Sequence, residues 1–148
     1  MDAAVSSPYQ RSIDTIAPCA EQHGLAIATD ERLRERMAGP GGNGPGMFEK
    51  RWSDLAWHEE GGESLAAVQQ RNMEAVWELL EKYPGCNILV GTHGTALSTI
   101  LHYFDPSFDC GQFQRIINWM PYVVRLDFEG KECVGKTEIM HVEKAYKA

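Results

Sequence analysis

The chain has 148 residues, of which 43% are hydrophobic, enough to bury one core, so we expect a single domain over residues 1–148. The formal net charge of −7 argues against affinity for nucleic acid or an anionic membrane surface. An anionic ligand would therefore need a local cluster of positive side chains. Residues 1–7 lack the features of an export signal, and no apolar stretch is long enough to span a membrane, which favours a cytoplasmic protein.

Four cysteines, Cys19, Cys86, Cys110 and Cys133, are widely spaced and show no paired metal-ligand pattern. In a chain without an export signal this predicts reduced thiols in the core rather than disulfides or a zinc site. We expect neither a metal nor another cofactor.

The first predicted elements are a short buried strand at residues 3–5 and a helix behind it. Ser7 suits the N-cap of this helix and Pro8 its first turn, and Gly24 marks its end. Pro18 should kink or split the helix, because it removes a backbone donor.

A second strand is predicted at residues 25–28, followed by a charged segment at residues 30–36. Residues 39–46 contain five glycines and two prolines, which predicts a flexible loop. Residues 64–83 carry apolar side chains at helical spacing and end at Pro84-Gly85, which predicts a long helix.

The apolar run at residues 87–92 is too short for a helix. It predicts a buried strand that delivers His93 at its carboxyl end, before a helix at residues 95–103. Residues 122–128 and 133–142 flank a turn and predict a hairpin. This order of elements predicts an α/β fold, a three-layer α/β/α sandwich with a mixed, mostly parallel sheet.

Polar side chains follow two of the predicted strands, where ligands bind in open α/β sheets. Ser7 and Arg11 follow the first strand, and Thr92 and His93 follow the later one. The helix that opens at Gly94-Thr95 adds free backbone N–H groups, which favour an anion. Taken alone, the position of Arg11 is also typical of a solvated surface arginine, and that of His93 is also typical of a structural histidine held by hydrogen bonds.

The pattern as a whole resembles the histidine phosphatase, or phosphoglycerate mutase-like, superfamily. Ser6-Ser7-Pro8 with Arg11 and Thr15 is similar to its second motif, and Thr92-His93-Gly94-Thr95 is similar to its last. Residues 30–35 resemble the segment that carries the proton-donating carboxylate, and residues 63–65 the start of the helix before the last strand. The order agrees throughout nearly the whole chain.

The resemblance implies phosphoryl transfer through a phosphohistidine, in a pocket of two histidines and two arginines. It assigns Arg11 as the second pocket arginine and His93 as the second histidine, while Gly94 and Thr95 add backbone contacts to the substrate. Glu35 corresponds to the general acid, since a carboxyl beside a phosphate dianion tends to keep its proton. A solvated glutamate in a charged segment is the alternative for Glu35.

The family's first motif, a central strand ending in Arg-His-Gly, supplies the nucleophilic histidine and is absent from the sequence. We therefore expect a truncated domain that is incomplete at its N-terminus, inactive by itself, and either marginally stable or paired with another chain, such as a homodimer.

The leading interpretation is a phosphomonoester hydrolase acting on a phosphorylated small molecule, since the region between Glu35 and the long helix is short for a mutase with a large cap. The alternatives are a catalytically inactive module that binds a phosphorylated ligand through Arg11, His93 and Thr95, and phosphoglycerate mutase-type transfer. A metal-dependent hydrolase would need ligand clusters that the sequence does not show.

Overall fold

The computed structural model describes residues 1–143. Three strands form a parallel sheet in the order β2-β1-β3: β1 (Ala3–Ser6), β2 (Ile27–Thr29) and β3 (Ile88–Gly91). In this register Ala4 lies between Ile27 and Leu89. The carboxyl ends of all three strands therefore lie at one edge of the sheet.

Five α-helices accompany the strands: α1 (Gln10–Gln22), α2 (Met47–Ser53), α3 (Leu65–Lys82), α4 (Gly94–Phe104) and α5 (Cys110–Ile116). Alternate side chains of β1 face opposite layers, as the pleat of a strand requires. Ala4 packs against Ile16 and Ala20 of α1, whereas Val5 packs against Ala75 of α3. The sheet therefore has helices on both faces, which confirms the predicted α/β class.

The chain ends in a hairpin of β4 (Trp119–Glu129) and β5 (Glu132–Glu143), which forms its own two-stranded antiparallel sheet. Val124 and Leu126 of β4 pack on a core shared with α4 and α5. That core consists of Leu101, Phe108, Phe113 and Ile116. The hairpin is therefore held to the domain by packing against helices. Within residues 1–143, β3 is hydrogen-bonded only to β1 and β4 only to β5, so each of these strands has one edge without a strand partner.

The start of α1 differs from the prediction. The helix begins at Gln10 with Tyr9 at the N-cap position, because the hydroxyl of Ser7 is turned toward His93 instead of the helix. Of the two effects predicted for Pro18, a kink or a split, the split is wrong, since α1 continues through Pro18 to Gln22. Pro18 is exposed, so the carbonyl that loses its donor can be hydrated.

The remaining elements follow the sequence with small shifts. Strand β2 lies at Ile27–Thr29 instead of residues 25–28, and residues 39–46 contain neither helix nor strand. Helix α3 begins as predicted, with the Ser64 hydroxyl accepting a hydrogen bond from the Ala67 amide at 3.1 Å. The sequence did not predict α2 and α5, because seven-residue helices are too short to show a clear period.

The cysteines are free but do not lie in the core. Cys86 is exposed, and Cys19, Cys110 and Cys133 are half-buried. The prediction of core thiols is therefore wrong on their position. None of the helices within residues 1–143 is long and apolar enough to cross a membrane.

Candidate functional site

His93 lies between β3 and α4, at the N-cap position of the helix, and only 8% of it is exposed. Its Nε2 is 2.7 Å from the Ser7 hydroxyl oxygen, and its Nδ1 is 3.5 Å from Nη2 of Arg11. Because a guanidinium only donates, Nδ1 must be the acceptor, so Nε2 carries the proton and donates it to Ser7. The ring of Tyr9 packs edge-on against the imidazole at 5.2 Å.

The charge state of His93 follows from its surroundings. Burial lowers the pKa of His93 below its ordinary value of 6.5; the Glu35 carboxylate opposes this shift, while Arg11 and Arg71 add to it. The imidazole is therefore neutral at neutral pH. A bound phosphate dianion would reverse the balance, because a negative charge nearby favours the imidazolium form.

Arg11 lies in the first turn of α1 with its guanidinium 5.3 Å from the centre of the Tyr9 ring. Among residues 1–143 it forms no salt bridge with a carboxylate. An arginine whose charge is not neutralised, placed beside a helix N-terminus, can bind an incoming anion with its planar fork of donors.

Glu35 reaches the N-terminus of α4 from the segment that follows β2. Its Oε2 accepts a hydrogen bond from the Thr95 amide at 3.0 Å, and its Oε1 accepts from the Ala96 amide at 2.8 Å. The carboxylate thereby satisfies two of the donors that a helix leaves free at its start. Glu35 is thus not a solvated glutamate but a half-buried group that caps α4.

The amide of Gly94 is left open by this arrangement, since it donates to no acceptor in residues 1–143. A Cβ placed on Gly94 would meet no atom within 4 Å. The space beside Gly94 is therefore open. Of the two backbone donors expected to contact substrate, Gly94 is accessible, while the Thr95 amide is already bonded to Glu35.

The structure brings all the predicted site residues together around the start of α4: Arg11, Glu35, His93, Gly94 and Thr95. The sequence placed Ser7 among the polar groups at the first strand end, but it assigned the Ser7 hydroxyl to the cap of α1 and missed its bond to His93. Two successive serines directly after a buried strand, both fully buried, were the available signal, because a buried hydroxyl needs a polar partner.

The other histidines lie elsewhere. His23, His58 and His102 bond through Nδ1 to the carbonyls of Cys19, Glu59 and Phe108, and His141 stacks on Trp119. His93 is therefore the single histidine at the site within residues 1–143. No group of three or more His, Cys, Asp or Glu in that range could hold a metal ion.

The fold and the site together define an α/β protein whose strand ends bring Arg11 and His93 to the N-terminus of α4. The sequence model of the histidine phosphatase superfamily (branch 1) matches residues 1–137. The chain belongs to that superfamily. Curated protein sequences gave no significant match.

Several solved structures resemble the chain. A mycobacterial glucosyl-3-phosphoglycerate phosphatase is 27% identical over 69% of this chain and 57% of its own, with a TM-score of 0.60. Bacillus stearothermophilus YhfR is 23% identical over 90% and 71%, with a TM-score of 0.63. A phosphoglycerate mutase from Bacillus anthracis is 20% identical over 71% and 60%, with a TM-score of 0.54. The last two likenesses concern the fold, and the chain spans little more than half of the first phosphatase.

Proposed function

We propose that the protein binds the phosphoryl group of a small phosphomonoester at the start of α4 and belongs to a phosphomonoester hydrolase. The observation that carries this proposal is the contact of Arg11 with His93 beside the open Gly94 amide at the start of α4. Arg11 would neutralise one oxygen, His93 would bond a second as imidazolium, and Gly94 would bond a third. Such fixed donors stabilise the charge that spreads over the equatorial oxygens during phosphoryl transfer.

The hydrolytic reaction requires a nucleophilic histidine in addition to these groups. Its nitrogen would form a bond to phosphorus while the ester oxygen leaves and takes a proton from Glu35, which must enter this step in its protonated form. Water would then attack phosphorus and give one proton back to the Glu35 carboxylate, while the nitrogen–phosphorus bond breaks and inorganic phosphate leaves. His93 is placed to bind an oxygen, and the second histidine must come from outside residues 1–143. We therefore expect binding without turnover from this chain alone.

Titration of the chain with inorganic phosphate, followed by calorimetry or amide chemical shifts, tests the binding step. We expect saturable binding that Arg11→Ala weakens by about tenfold or more, the loss of a charge-assisted hydrogen bond. Gly94→Ala should also weaken it, because its methyl group occupies the open space. Arg125→Ala, which removes an exposed arginine paired with Asp127 on the hairpin, is the matched control and should leave binding unchanged.

Hydrolysis of p-nitrophenyl phosphate tests the chemical step. We expect none with the chain alone, and turnover after addition of an extended apolar peptide that ends in Arg-His-Gly. Glu35→Gln should abolish that turnover while phosphate binding persists. Turnover by the chain alone would contradict the assignment of a missing nucleophile.

The second candidate, a module that binds a phosphorylated ligand without hydrolysing it, is favoured by one observation: a single histidine contacts Ser7 and Arg11 in the described residues. Phosphate binding that depends on Arg11, with no turnover under any peptide addition, would support this candidate over the hydrolase.

A further inference from the structure

Arg71, on the inner face of α3, uses all five of its N–H donors. Nε and Nη2 bond to the two carboxylate oxygens of Glu63 at 2.8 and 2.9 Å. Nη1 bonds to the backbone carbonyls of Arg32 and Arg34 at 2.8 and 2.7 Å, and Nη2 bonds to the carbonyl of Glu35 at 3.0 Å. The guanidinium therefore binds three carbonyls of the segment that carries the proposed acid.

This contact fixes a segment that has no regular structure of its own. Residues 34–36 follow the 3₁₀ turn Glu31–Leu33 and belong to neither helix nor strand, so no ladder of backbone hydrogen bonds determines their path. Arg71 supplies the missing partners from a helix that packs against the sheet. With its side chain 14% exposed, it does so away from bulk water, where charge-assisted bonds are strong.

The position of the Glu35 carboxylate depends on this path. From its backbone carbonyl, bonded to Arg71, the side chain extends to the amides of Thr95 and Ala96. A shift of the backbone by an ångström would take both carboxylate oxygens out of hydrogen-bond range of α4. The hydrogen bonds of Arg71 go to Glu63 and to the three backbone carbonyls, and the bonds of the His93 ring go to Ser7 and Arg11, so Arg71 does not bond to His93.

We propose that Arg71 is a positioning residue, whose guanidinium sets the backbone of residues 32–35 so that the Glu35 carboxylate stays at the N-terminus of α4. Its catalytic meaning rests on the proposed function, because Glu35 is the proposed acid. The placement itself is a property of the free protein and is tested without any ligand.

The test is the pair of Thr95 and Ala96 amide proton shifts in ¹⁵N-labelled full-length chain. Glu35→Ala gives the reference for an unbonded helix start, with both protons moved upfield. Arg71→Lys keeps the charge but has three donors on a flexible stem instead of a planar fork of five. We expect it to move both protons by at least half of the Glu35→Ala change.

Arg32→Lys is the matched control, since Arg32 lies in the same segment but bonds through its side chain to Asp30 and Glu78; it should leave both protons in place. Arg71→Ala, which removes the guanidinium altogether, should move both protons at least as far as Arg71→Lys does; if Arg71→Ala does not fold, Arg71→Lys alone decides. The proposal would be overturned if the Thr95 and Ala96 amide protons kept their wild-type shifts in folded Arg71→Lys. It would also be overturned if they kept those shifts in Glu35→Ala, because Glu35 would then not be bonded to these amides. A wild-type chain that shows the expected shifts but binds no phosphate would instead refute the proposed function and leave the positioning role intact.

Discussion

His93 is neutral because it is buried beside two arginines, and this makes stability depend on pH. Its pKa in the folded protein lies below the unfolded value of 6.5, so the unfolded state binds more protons between the two values. The stability that neutral His93 allows is fully present above pH 6.5 and is lost as the pH falls from 6.5 toward the folded pKa. Carboxylates with lowered pKa values, such as Glu59 and Glu63, affect stability below pH 4.5, so they do not contribute to a change measured above that pH.

We therefore predict that His93→Gln removes part of the pH dependence of stability. The free energy of unfolding is measured by urea denaturation at about pH 8 and at about pH 5.5. It should be lower at the acidic pH for the wild type, and this decrease should be smaller for His93→Gln. An equal decrease in both proteins would show that His93 is not the group that titrates. His93 should also take up a proton when phosphate binds. In an NMR titration, the midpoint pH of the His93 signal should therefore be higher with phosphate than without it.

A second residue-scale prediction concerns Glu59, which bonds Arg36 and Arg51 behind the site. Its oxygens lie 2.8 and 3.0 Å from the two guanidinium groups, whose side chains are 6% and 4% exposed. The Arg36 guanidinium lowers the pKa of Glu59 to about 2, and burial lowers the pKa of Arg51.

Glu59→Gln would leave two buried arginines without a counter-charge. We predict a loss of about 3 to 5 kcal/mol in the free energy of unfolding, measured by urea denaturation. Glu78→Gln breaks an ion pair in which Glu78 is 62% exposed, and it should cost less than about 1 kcal/mol. Equal losses in the two variants would mean that the buried cluster contributes no more than a surface pair.

Among single residues, the sequence predicted those that follow the strand ends, but not those whose hydrogen bonds fix the positions of the site residues. Arg11 and His93 could be found because their positions after apolar strands are visible in the sequence. The contact of Ser7 with His93 and the role of Arg71 could not be found, since Ser7 also looks like a helix cap and Arg71 looks like one more charge on an amphipathic helix. Both roles depend on contacts between residues more than 30 positions apart in the sequence. Such contacts cannot be read from local sequence patterns.

Among the elements, β3 packs against β1 and α1 with unusually little space at Gly91. A Cβ on Gly91 would come within 2.8 Å of the Ser6 hydroxyl oxygen and 3.0 Å of the Ser12 carbonyl and hydroxyl oxygens. We predict that Gly91→Ala lowers the free energy of unfolding by about 1 to 3 kcal/mol through overpacking. The same substitution at Gly94, where a Cβ meets nothing, should change it by less than about 0.5 kcal/mol.

Chemical denaturation of the two variants checks this prediction, and each serves as the control for the other. A large loss in Gly94→Ala would show that the open space beside His93 is not present in solution. The pair also separates stability from function, because Gly94→Ala should weaken phosphate binding in a protein of normal stability.

How well an element could be predicted depended on its length and on its caps. The 18-residue helix α3 shows several turns of apolar spacing and a serine cap, so both its presence and its start followed from the sequence. The beginning of α1 did not, because Ser7 and Pro8 satisfy local capping rules while the tertiary contact to His93 takes the serine away. Short helices such as α2 and α5 lie below the length at which a period can be read.

At the scale of the whole molecule, both sheets have strand edges whose backbone groups are not paired with another strand of the described residues. Within residues 1–143, β3 is hydrogen-bonded to a strand on one side only, and β4 pairs only with β5. Val90 of the apolar strand β3 is 37% exposed, although strands of parallel sheets are normally buried. The outer side of the hairpin carries further exposed apolar residues, at 39 to 62% exposure: Met120, Val123, Ile139, Met140 and Val142.

Unpaired strand edges and apolar surface of this kind favour association, because pairing satisfies backbone groups and removes apolar area from water. We predict that the chain self-associates and that its melting temperature rises with protein concentration, as mass action requires when the associated form is the stable one. Sedimentation velocity and thermal unfolding over a range of concentrations measure both effects. A monomer at every concentration, with a sharp unfolding transition at high temperature, would contradict the prediction.

The hairpin offers a way to test which surface associates. Met140 lies opposite Val123 in the β4–β5 register, so Met140→Lys places a charge in the middle of the exposed apolar face, where it opposes edge and face pairing. This variant should be more monomeric than the wild type and should lose the dependence of melting temperature on concentration. Met37→Lys, at a methionine that is 56% exposed outside the hairpin, is the control and should associate like the wild type. If both variants associate alike, the exposed apolar face of the hairpin is not the associating surface, and an unpaired strand edge such as that of β3 is the next surface to test.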